Sequence, residues 1–111
     1  MNKYILYKKH EVAECDILLN IVRYFHSNGI DIKPNIIIER NFPEYINMLP
    51  TIETIDNIYE GIDNIIIHLE NIYQVKNIKI KSEEFTKLNP NYRVTDRPTQ
   101  RGTKIVNLEY I

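Results

Sequence analysis

The sequence predicts an α/β fold, in which a mixed four-stranded sheet carries helices on its faces. The 111 residues suit one domain, and the proportions of apolar (43%) and charged (26%) residues are ordinary for a globular protein. Apolar residues recur at helical spacing in residues 13–28 and 62–73, and short runs rich in β-branched residues precede and separate these stretches. The predicted element order is β-α-β-(short α)-β-β-α within residues 1–73.

The first three elements predict a parallel pair of strands. A short apolar run bracketed by lysines indicates a strand over Lys3–Lys8, and three consecutive isoleucines indicate another over Asn35–Glu39. The helix between them, over 13–28, has one apolar stripe, formed by Ile17, Leu18, Ile21, Val22 and Phe25. A strand, a helix and a second strand in this order predict a right-handed crossover between parallel strands.

The next stretch predicts an antiparallel pair and a closing helix. The connector Arg40–Leu49 has apolar residues spaced for one or two helical turns: Phe42, Tyr45, Ile46 and Leu49. Strands are then predicted over Thr51–Ile55 and Ile58–Glu60, with a tight turn between them. A helix over Ile62–Tyr73 completes the core.

Charge divides the chain into two predicted parts. Residues 1–73 contain 6 Lys or Arg and 11 Asp or Glu, a net charge of -5, whereas residues 74–111 contain 8 and 4, a net charge of +4. We therefore predict a folded domain over 1–73 and a basic C-terminal arm over 74–111, extended or bound to a partner. Within the arm, Val75–Lys81 resembles an edge strand with protective lysines, and Phe85–Gly102 resembles an extended linker.

Composition argues against several classes of site. The single cysteine, Cys15, excludes an internal disulfide and a multi-cysteine zinc site, and the three histidines lack ligand spacing, so neither a metal nor another cofactor is predicted. The net charge of -1 argues against capture of nucleic acid by the whole surface. No apolar run approaches the roughly 20 residues of a membrane span, and no secretory segment follows Met1, which predicts a cytoplasmic or other intracellular protein.

Four segments together carry a family resemblance. They are Ile5–Lys9 at the end of the first strand, Cys15 at the start of a helix, Leu49–Ile52 around a proline, and Ile58–Asp63 before the last helix. In this order, and over residues 3–73, they resemble the thioredoxin superfamily, and glutaredoxins most closely. The resemblance implies a thioredoxin-like sandwich with a cis peptide bond before Pro50.

The resemblance also implies a degenerate redox motif. Val12-Ala13-Glu14-Cys15 occupies the place of Cys-x-x-Cys, so Val12 stands where the nucleophilic cysteine belongs and Cys15 stands where the resolving cysteine belongs. Valine cannot attack a disulfide, and a resolving cysteine alone has no mixed disulfide to attack. By position, the residues that would line a substrate or glutathione site are Val12, Pro50, Thr51, Gly61 and Asp63, with Cys15 as the doubtful catalytic residue.

Local charge argues against an activated thiol. The helix N-terminus lowers the pKa of Cys15, but three neighbouring carboxylates raise it: Glu11, Glu14 and Asp16. Lys8, Lys9 and His10 offset this effect in part. Glu60 precedes Gly61 in the place of the first glycine of the family's Gly-Gly element, where its carboxylate would repel the anionic ends of glutathione.

Two functions of different class follow. The preferred one is a non-catalytic interaction or structural protein whose arm docks onto a protein partner within an assembly; its oligomeric state is left open. The alternative is a glutaredoxin-like thiol-disulfide oxidoreductase or glutathione-binding protein that uses Cys15 alone. The 21 isoleucines and 13 asparagines suit the AT-rich genome of a large DNA virus, which makes a virion component one form of the first function.

For the arm, three interpretations compete: a solvated tail, a partner-binding segment, and a contact with nucleic acid or membrane. Its basic residues are spread out, which argues against the third. Its last residues, 103–111, are rich in apolar and β-branched side chains, which favours the partner-binding segment. The predicted partner-binding residues are Arg93, Arg97, Arg101, Lys104, Val106, Leu108 and Tyr110.

For Cys15, three interpretations also compete: a small half-buried apolar residue with a structural role, a monothiol redox site, and a site for an intermolecular disulfide.

Overall fold

The fold was analysed in a computed structural model that describes residues 3–92. Within this part of the chain, four short strands and three helices follow one another. They are β1 (Ile5–Tyr7), α1 (Ala13–Ser27), β2 (Ile36–Ile38), β3 (Thr51–Glu53), β4 (Ile58–Glu60), α2 (Gly61–Tyr73) and α3 (Ile78–Leu88).

The four strands form one mixed sheet in the order β2-β1-β3-β4. β1 and β2 are parallel, as the crossover predicts, and Leu6 of β1 lies opposite Ile37 of β2. β3 is antiparallel to both β1 and β4, and its central residue, Ile52, lies between Leu6 and Tyr59. The prediction of an α/β fold with a mixed four-stranded sheet is therefore confirmed.

One face of the sheet, the helix-covered face, carries the larger apolar core. Side chains of β1 and β3 meet the apolar stripes of α1 and α2 there, together with the first residue of α3. The buried members of this cluster are Tyr4, Leu6, Leu18, Ile21, Val22, Phe25, Ile32, Ile52, Ile62, Ile65, Leu69 and Ile78. The stripes predicted for both helices thus face the sheet, and their burial away from water is a main source of stability for the fold.

The opposite face of the sheet is covered by the connector between β2 and β3, with no helix in its apolar cluster among the described residues. Tyr7, Ile36 and Ile38 are buried there, and Ile5, Phe42, Ile46 and Leu49 pack against them. The expectation of helices on both faces is therefore wrong for residues 3–92: the helices contribute to the first cluster, and the connector covers the second.

The predicted short helix in the connector Arg40–Leu49 does not form. Asn41 has a left-handed backbone with φ of 58°, and Pro43 has no backbone N–H to donate. A single turn forms instead, in which the N–H of Ile46 donates to the carbonyl of Pro43 at 3.0 Å. Most of the apolar residues of the connector do pack against the core, as their spacing predicts. Their spacing results from contact with the sheet and not from the period of a helix.

The predicted edge strand over Val75–Lys81 is also wrong, because the chain forms helix α3 from Ile78. Ile78 is 0% exposed and belongs to the core on the helix-covered face. Its backbone N–H donates to the Glu70 carboxylate at 3.2 Å, which satisfies one of the open donors at the start of the helix. Ser82, four residues later, is also fully buried.

The first residues of the predicted linker Phe85–Gly102 also depart from an extended chain. α3 continues to Leu88, and Tyr92 shares a hydrogen bond of 2.7 Å with the His26 ring while its own ring packs edge-on against Phe85. Part of the predicted arm therefore packs on the core. The boundary at residue 73 remains a prediction, and the seven partner-binding residues of the arm, from Arg93 to Tyr110, lie outside the described residues.

Candidate functional site

Strand pairing brings the predicted site residues to one end of the sheet. Tyr7, the last residue of β1, lies opposite Thr51, the first residue of β3, and Thr51 also lies opposite Glu60, the last residue of β4. The chain therefore leaves β1 toward α1, enters β3 from Pro50, and leaves β4 into α2 at the same end. This topology places the starts of α1 and α2 beside the proline.

The Val12–Cys15 segment opens helix α1. Val12 is the N-cap residue, with an extended backbone (φ -96°, ψ 116°) and no side-chain cap. Its carbonyl accepts a hydrogen bond from the N–H of Cys15 at 3.0 Å. Val12 thus lies just before the helix and Cys15 lies within its first turn. The Val12 side chain offers no donor, acceptor or nucleophile at the position that the resemblance gives to the nucleophilic cysteine.

Cys15 is buried, with 7% of its surface exposed, and is a free thiol. Burial raises the pKa of this thiol above its ordinary value, because the charged thiolate loses its hydration. A hydrogen bond from the Lys9 backbone and the charge of Lys8 lower the pKa, while Asp16 and Glu14 raise it. Burial is the largest of these effects, so the net direction is upward, away from an activated nucleophile.

Pro50 and Gly61 are joined directly. The Leu49–Pro50 peptide bond is cis, as the resemblance implies, so this prediction is confirmed. The carbonyl of Pro50 accepts a hydrogen bond from the N–H of Gly61 at 2.9 Å. Gly61 has a φ of +80°, and a β-carbon added there would lie 2.9 Å from Cε of Met48. The backbone conformation favours glycine at this position, whereas the exposed and flexible Met48 side chain could move away from a β-carbon.

Thr51, Glu60 and Asp63 differ in what they present to solvent. Thr51 is fully buried, and its hydroxyl donates to the Met48 carbonyl at 2.6 Å. It therefore supports the loop before Pro50 and offers no exposed group to a ligand. Asp63 is exposed in the first turn of α2, and the partly exposed Glu60 precedes that helix without a side-chain cap. The acceptors here are carboxylates, which disfavour an anionic ligand.

A contact between His10 and Glu39, beside the Val12–Cys15 segment, was not predicted from the sequence. Nε2 of His10, in the loop between β1 and α1, lies 2.9 Å from Oε2 of Glu39, the residue that follows β2. The His10 side chain is largely exposed, whereas that of Glu39 is mostly buried. The contact ties the loop before Val12 to the end of the neighbouring strand. Parallel pairing of β1 with β2 predicts that these two residues emerge at the same edge, and this was the available signal.

A second polar cluster lies on the opposite face of the sheet. The hydroxyls of Tyr7 and Tyr45 both donate to Oε1 of Glu53, at 2.7 and 2.9 Å. Burial, and then the hydrogen bond to Glu53, raise the pKa of Tyr7 far above its ordinary value of 10.0. The hydrogen bond from the buried Tyr7 to Glu53 is structural. The bond from Tyr45 to the same carboxylate holds the connector over the sheet.

Residues 3–92 contain neither a cluster of metal-ligating side chains nor a membrane-spanning helix. No three His, Cys, Asp or Glu side chains in this part of the chain come together as a group that could hold a metal ion. None of the helices described here is long and apolar enough to cross a membrane.

Comparisons with protein-family models, with curated proteins and with solved structures found no match for this chain. The chemistry of the candidate site follows from the residues of this chain. They form a buried thiol at the start of a helix, a cis-proline bonded to a glycine, and carboxylates at the rim.

Proposed function

We propose that this protein is a non-catalytic interaction or structural protein built on a thioredoxin-like domain. The observation that carries the proposal is the state of the Val12–Cys15 segment. The position just before the helix holds valine, and the one thiol is buried, with a pKa raised by burial. Thiol-disulfide exchange requires an accessible thiolate, and this arrangement disfavours one.

Three features support the thioredoxin-like assignment. The elements follow the order that the resemblance implies, except that the connector between β2 and β3 contains no helix and that α3 is added after α2. A cis-proline directly precedes β3, and Gly61 lies at the junction of β4 and α2. Cys15 lies in the first turn of the helix that follows β1. Each feature is weak alone, and their shared location at one end of the sheet gives the assignment its weight.

In this proposal the arm docks onto a protein partner within an assembly, and a virus particle is the assembly that the Ile- and Asn-rich composition suits. The arm is basic while residues 1–73 are acidic, so the two parts of one chain suit different surfaces. Docking would use the arm residues named above, from Arg93 to Tyr110.

The second candidate is a glutaredoxin-like oxidoreductase or glutathione-binding protein that works through Cys15. The hydrogen bond from the Lys9 backbone and the charge of Lys8 favour it, because both stabilise a thiolate. Burial opposes it, and Glu60 and Asp63 would repel the carboxylates of glutathione.

One experiment separates the two candidates. The rate at which Cys15 reacts with iodoacetamide would be followed across pH, beside an assay of glutathione-dependent disulfide reduction. Cys15→Ser is the variant that removes the thiol. Val12→Cys is the matched gain-of-function control, because it restores the family's first cysteine at an extended position just before the helix.

We expect a thiol pKa above that of an ordinary cysteine, because Cys15 is buried, together with slow alkylation and no activity that depends on Cys15. Val12→Cys should react faster than Cys15 in the unsubstituted chain. A pKa below about 7 for Cys15, with turnover lost in Cys15→Ser, would overturn the non-catalytic proposal.

A further inference from the structure

The β3–β4 half of the opposite sheet face is incompletely covered. Over β1 and β2 the connector packs down and buries the isoleucines beneath it. Over β3 and β4 three large side chains remain exposed: Tyr45 is 47% exposed, Met48 53% and Ile58 38%. We call the surface formed by these three residues, with Glu53 and Glu60, the open face.

The residues of the open face form one continuous surface. Ile58 on β4 lies directly opposite Glu53 on β3, and Glu53 accepts the hydroxyl of Tyr45 at 2.9 Å. The Met48 side chain lies at the end of β4, because its Cε atom is close to Gly61, the residue that follows Glu60. β4 is the last strand of the sheet, so this surface ends at a strand edge. A further strand could pair with this edge in place of the hydrogen bonds that the Asn57 and Asn64 side chains make to the Ile58 N–H and to the Glu60 carbonyl.

The charged residues of the open face itself are all acidic, and Lys9 Nζ lies 5.8 Å from the ring centroid of Phe42, in the half that the connector covers. Residues 41–73 contain six carboxylates and no lysine or arginine. Glu53 and Glu60 belong to the face itself, and the exposed Glu44 and Asp56 lie next to Tyr45 and in the β3–β4 turn. An apolar surface with a carboxylate rim is complementary to a segment that is both apolar and basic.

The C-terminal sequence of this chain has that composition. Residues 93–111 contain four basic and two acidic side chains, and Val106, Leu108 and Tyr110 occupy every second position near the end of the chain, with Asn107 and Glu109 between them and an isoleucine on either side. Alternation puts such side chains on one side of an added strand. We propose that residues 103–111 of one copy pair with the β4 edge of a second copy and lay this apolar row on its open face.

The place where the described chain ends favours a second copy over the same chain. Tyr92 is held against His26 and Phe85, on the side of the sheet that carries the helices. The ten residues 93–102 span at most about 33–36 Å when fully extended. The described body measures 36 × 27 × 25 Å, so a path around it to its own open face would leave the linker almost no slack. A neighbouring copy imposes no such path.

This interface joins different surfaces of the two copies, so each copy can bind one neighbour and be bound by another. The inference rests on the proposed function, in which the arm docks onto a protein, and it names that protein as a second copy of this chain. It predicts association that grows with protein concentration and weakens with salt, since opposite charges contribute to it.

The test uses full-length chains in sedimentation velocity and light scattering. The face variant is Ile58→Lys, with Met48→Lys as a second version; both residues are exposed, so neither change should disturb the core. The arm variant combines Arg97→Glu, Arg101→Glu and Lys104→Glu. Ile67→Lys, an exposed isoleucine on α2, is the matched control for an added charge.

We expect the unsubstituted chain and Ile67→Lys to associate, and each face or arm variant alone to be monomeric. A mixture of one face variant with the arm variant should form a dimer, because the intact arm of one copy meets the intact open face of the other. An unsubstituted chain that stays monomeric into the millimolar range, or a mixture that stays monomeric, would overturn the inference. These outcomes leave the thiol measurements, and with them the non-catalytic proposal, untouched.

Discussion

The two faces of this sheet achieve burial by different means. The helix-covered face packs against α1, α2 and the start of α3, and its core members are almost entirely apolar. The opposite face is covered by the irregular connector before β3, and it holds a carboxylate that accepts two tyrosine hydroxyls. A helix satisfies its own backbone polar groups and can pack through a purely apolar stripe. An irregular segment lacks this regular backbone bonding, so polar side chains supply the hydrogen bonds that hold it in place.

The two faces also differ in what they contribute, since one stabilises the fold and the other offers a surface for binding. A fully packed face has no accessible surface to offer, and any loss there leaves a cavity. The face under the connector leaves three large apolar side chains partly exposed beside carboxylates. We therefore expect substitutions on the helix-covered face to act on folding, and substitutions on the open face to act on association.

The largest expected effect is a loss of folding stability when a phenylalanine on the helix-covered face is replaced, compared with the loss for a phenylalanine on the opposite face. Phe25→Ala should lower the free energy of unfolding by about 3–5 kcal/mol, because Phe25 is buried and packs against Tyr24 and Tyr73. Phe42→Ala, on the opposite face, should cost less, since Phe42 is only partly buried. Urea denaturation followed by circular dichroism measures both; equal losses would contradict the contrast between the faces.

The next effect concerns α3 and the end of the folded domain. Ile78→Ala should cost about 2–5 kcal/mol, whereas Ile80→Ala, two residues later on the same helix but exposed, should cost less than about 0.5 kcal/mol. A chain that ends at Tyr73 should accordingly unfold at lower urea concentration than one that ends at Tyr92. If the two truncated chains are equally stable, the domain ends at residue 73 and α3 is accessory.

A smaller effect should appear in alkaline solution. Tyr7→Phe should cost about 0.5–1.5 kcal/mol at neutral pH, the contribution of one hydrogen bond. The pKa of Tyr7 is raised by burial, so above about pH 10 the unfolded chain loses the proton while the folded chain keeps it. Stability therefore falls as pH rises, by about 1.4 kcal/mol per pH unit from this group.

In Tyr7→Phe this part of the alkaline slope should disappear. Measuring the free energy of unfolding between pH 9 and pH 11 for both chains gives the difference. An identical slope in the two chains would show that Tyr7 does not hold its proton through burial.

The smallest expected effect is on the open face. Ile58→Lys should change the free energy of unfolding by less than about 0.5 kcal/mol, because the side chain is partly exposed on an edge strand. Thermal unfolding at a protein concentration low enough to keep the chain monomeric checks this. A large loss would mean that Ile58 supports the fold, and the open face would then be part of the core.

Helices and strands whose apolar residues recur at a regular spacing could be predicted from the sequence. Segments whose conformation depends on contacts with the rest of the fold could not. The stripes of α1 and α2 and the isoleucines of β2 were found because burial on one face, or on both, leaves a direct record in the residue types. α3 was missed because Ser82, a polar residue, fills one of its buried positions and hides the helical spacing from Ile78. The connector was assigned a helix because its apolar spacing records contact with the sheet alone.

At the candidate site the division is similar. Sequence order predicted Val12 before a helix, Cys15 in its first turn and a proline before β3, because these are local relations along the chain. The Tyr7–Glu53–Tyr45 cluster and the His10–Glu39 pair join residues far apart in sequence. They depend on register and loop path, which no local pattern contains.

The sequence by itself determined the order of the four strands and of helices α1 and α2, the charge division between residues 1–73 and 74–111, and the valine that precedes α1. Periodicity, composition and residue identity are properties of the chain alone. Only the tertiary structure decided that the helices pack on one side, that α3 joins the core, and that Cys15 is buried enough to raise its pKa. Those outcomes depend on which surfaces meet, because burial and hydration are properties of the assembled fold.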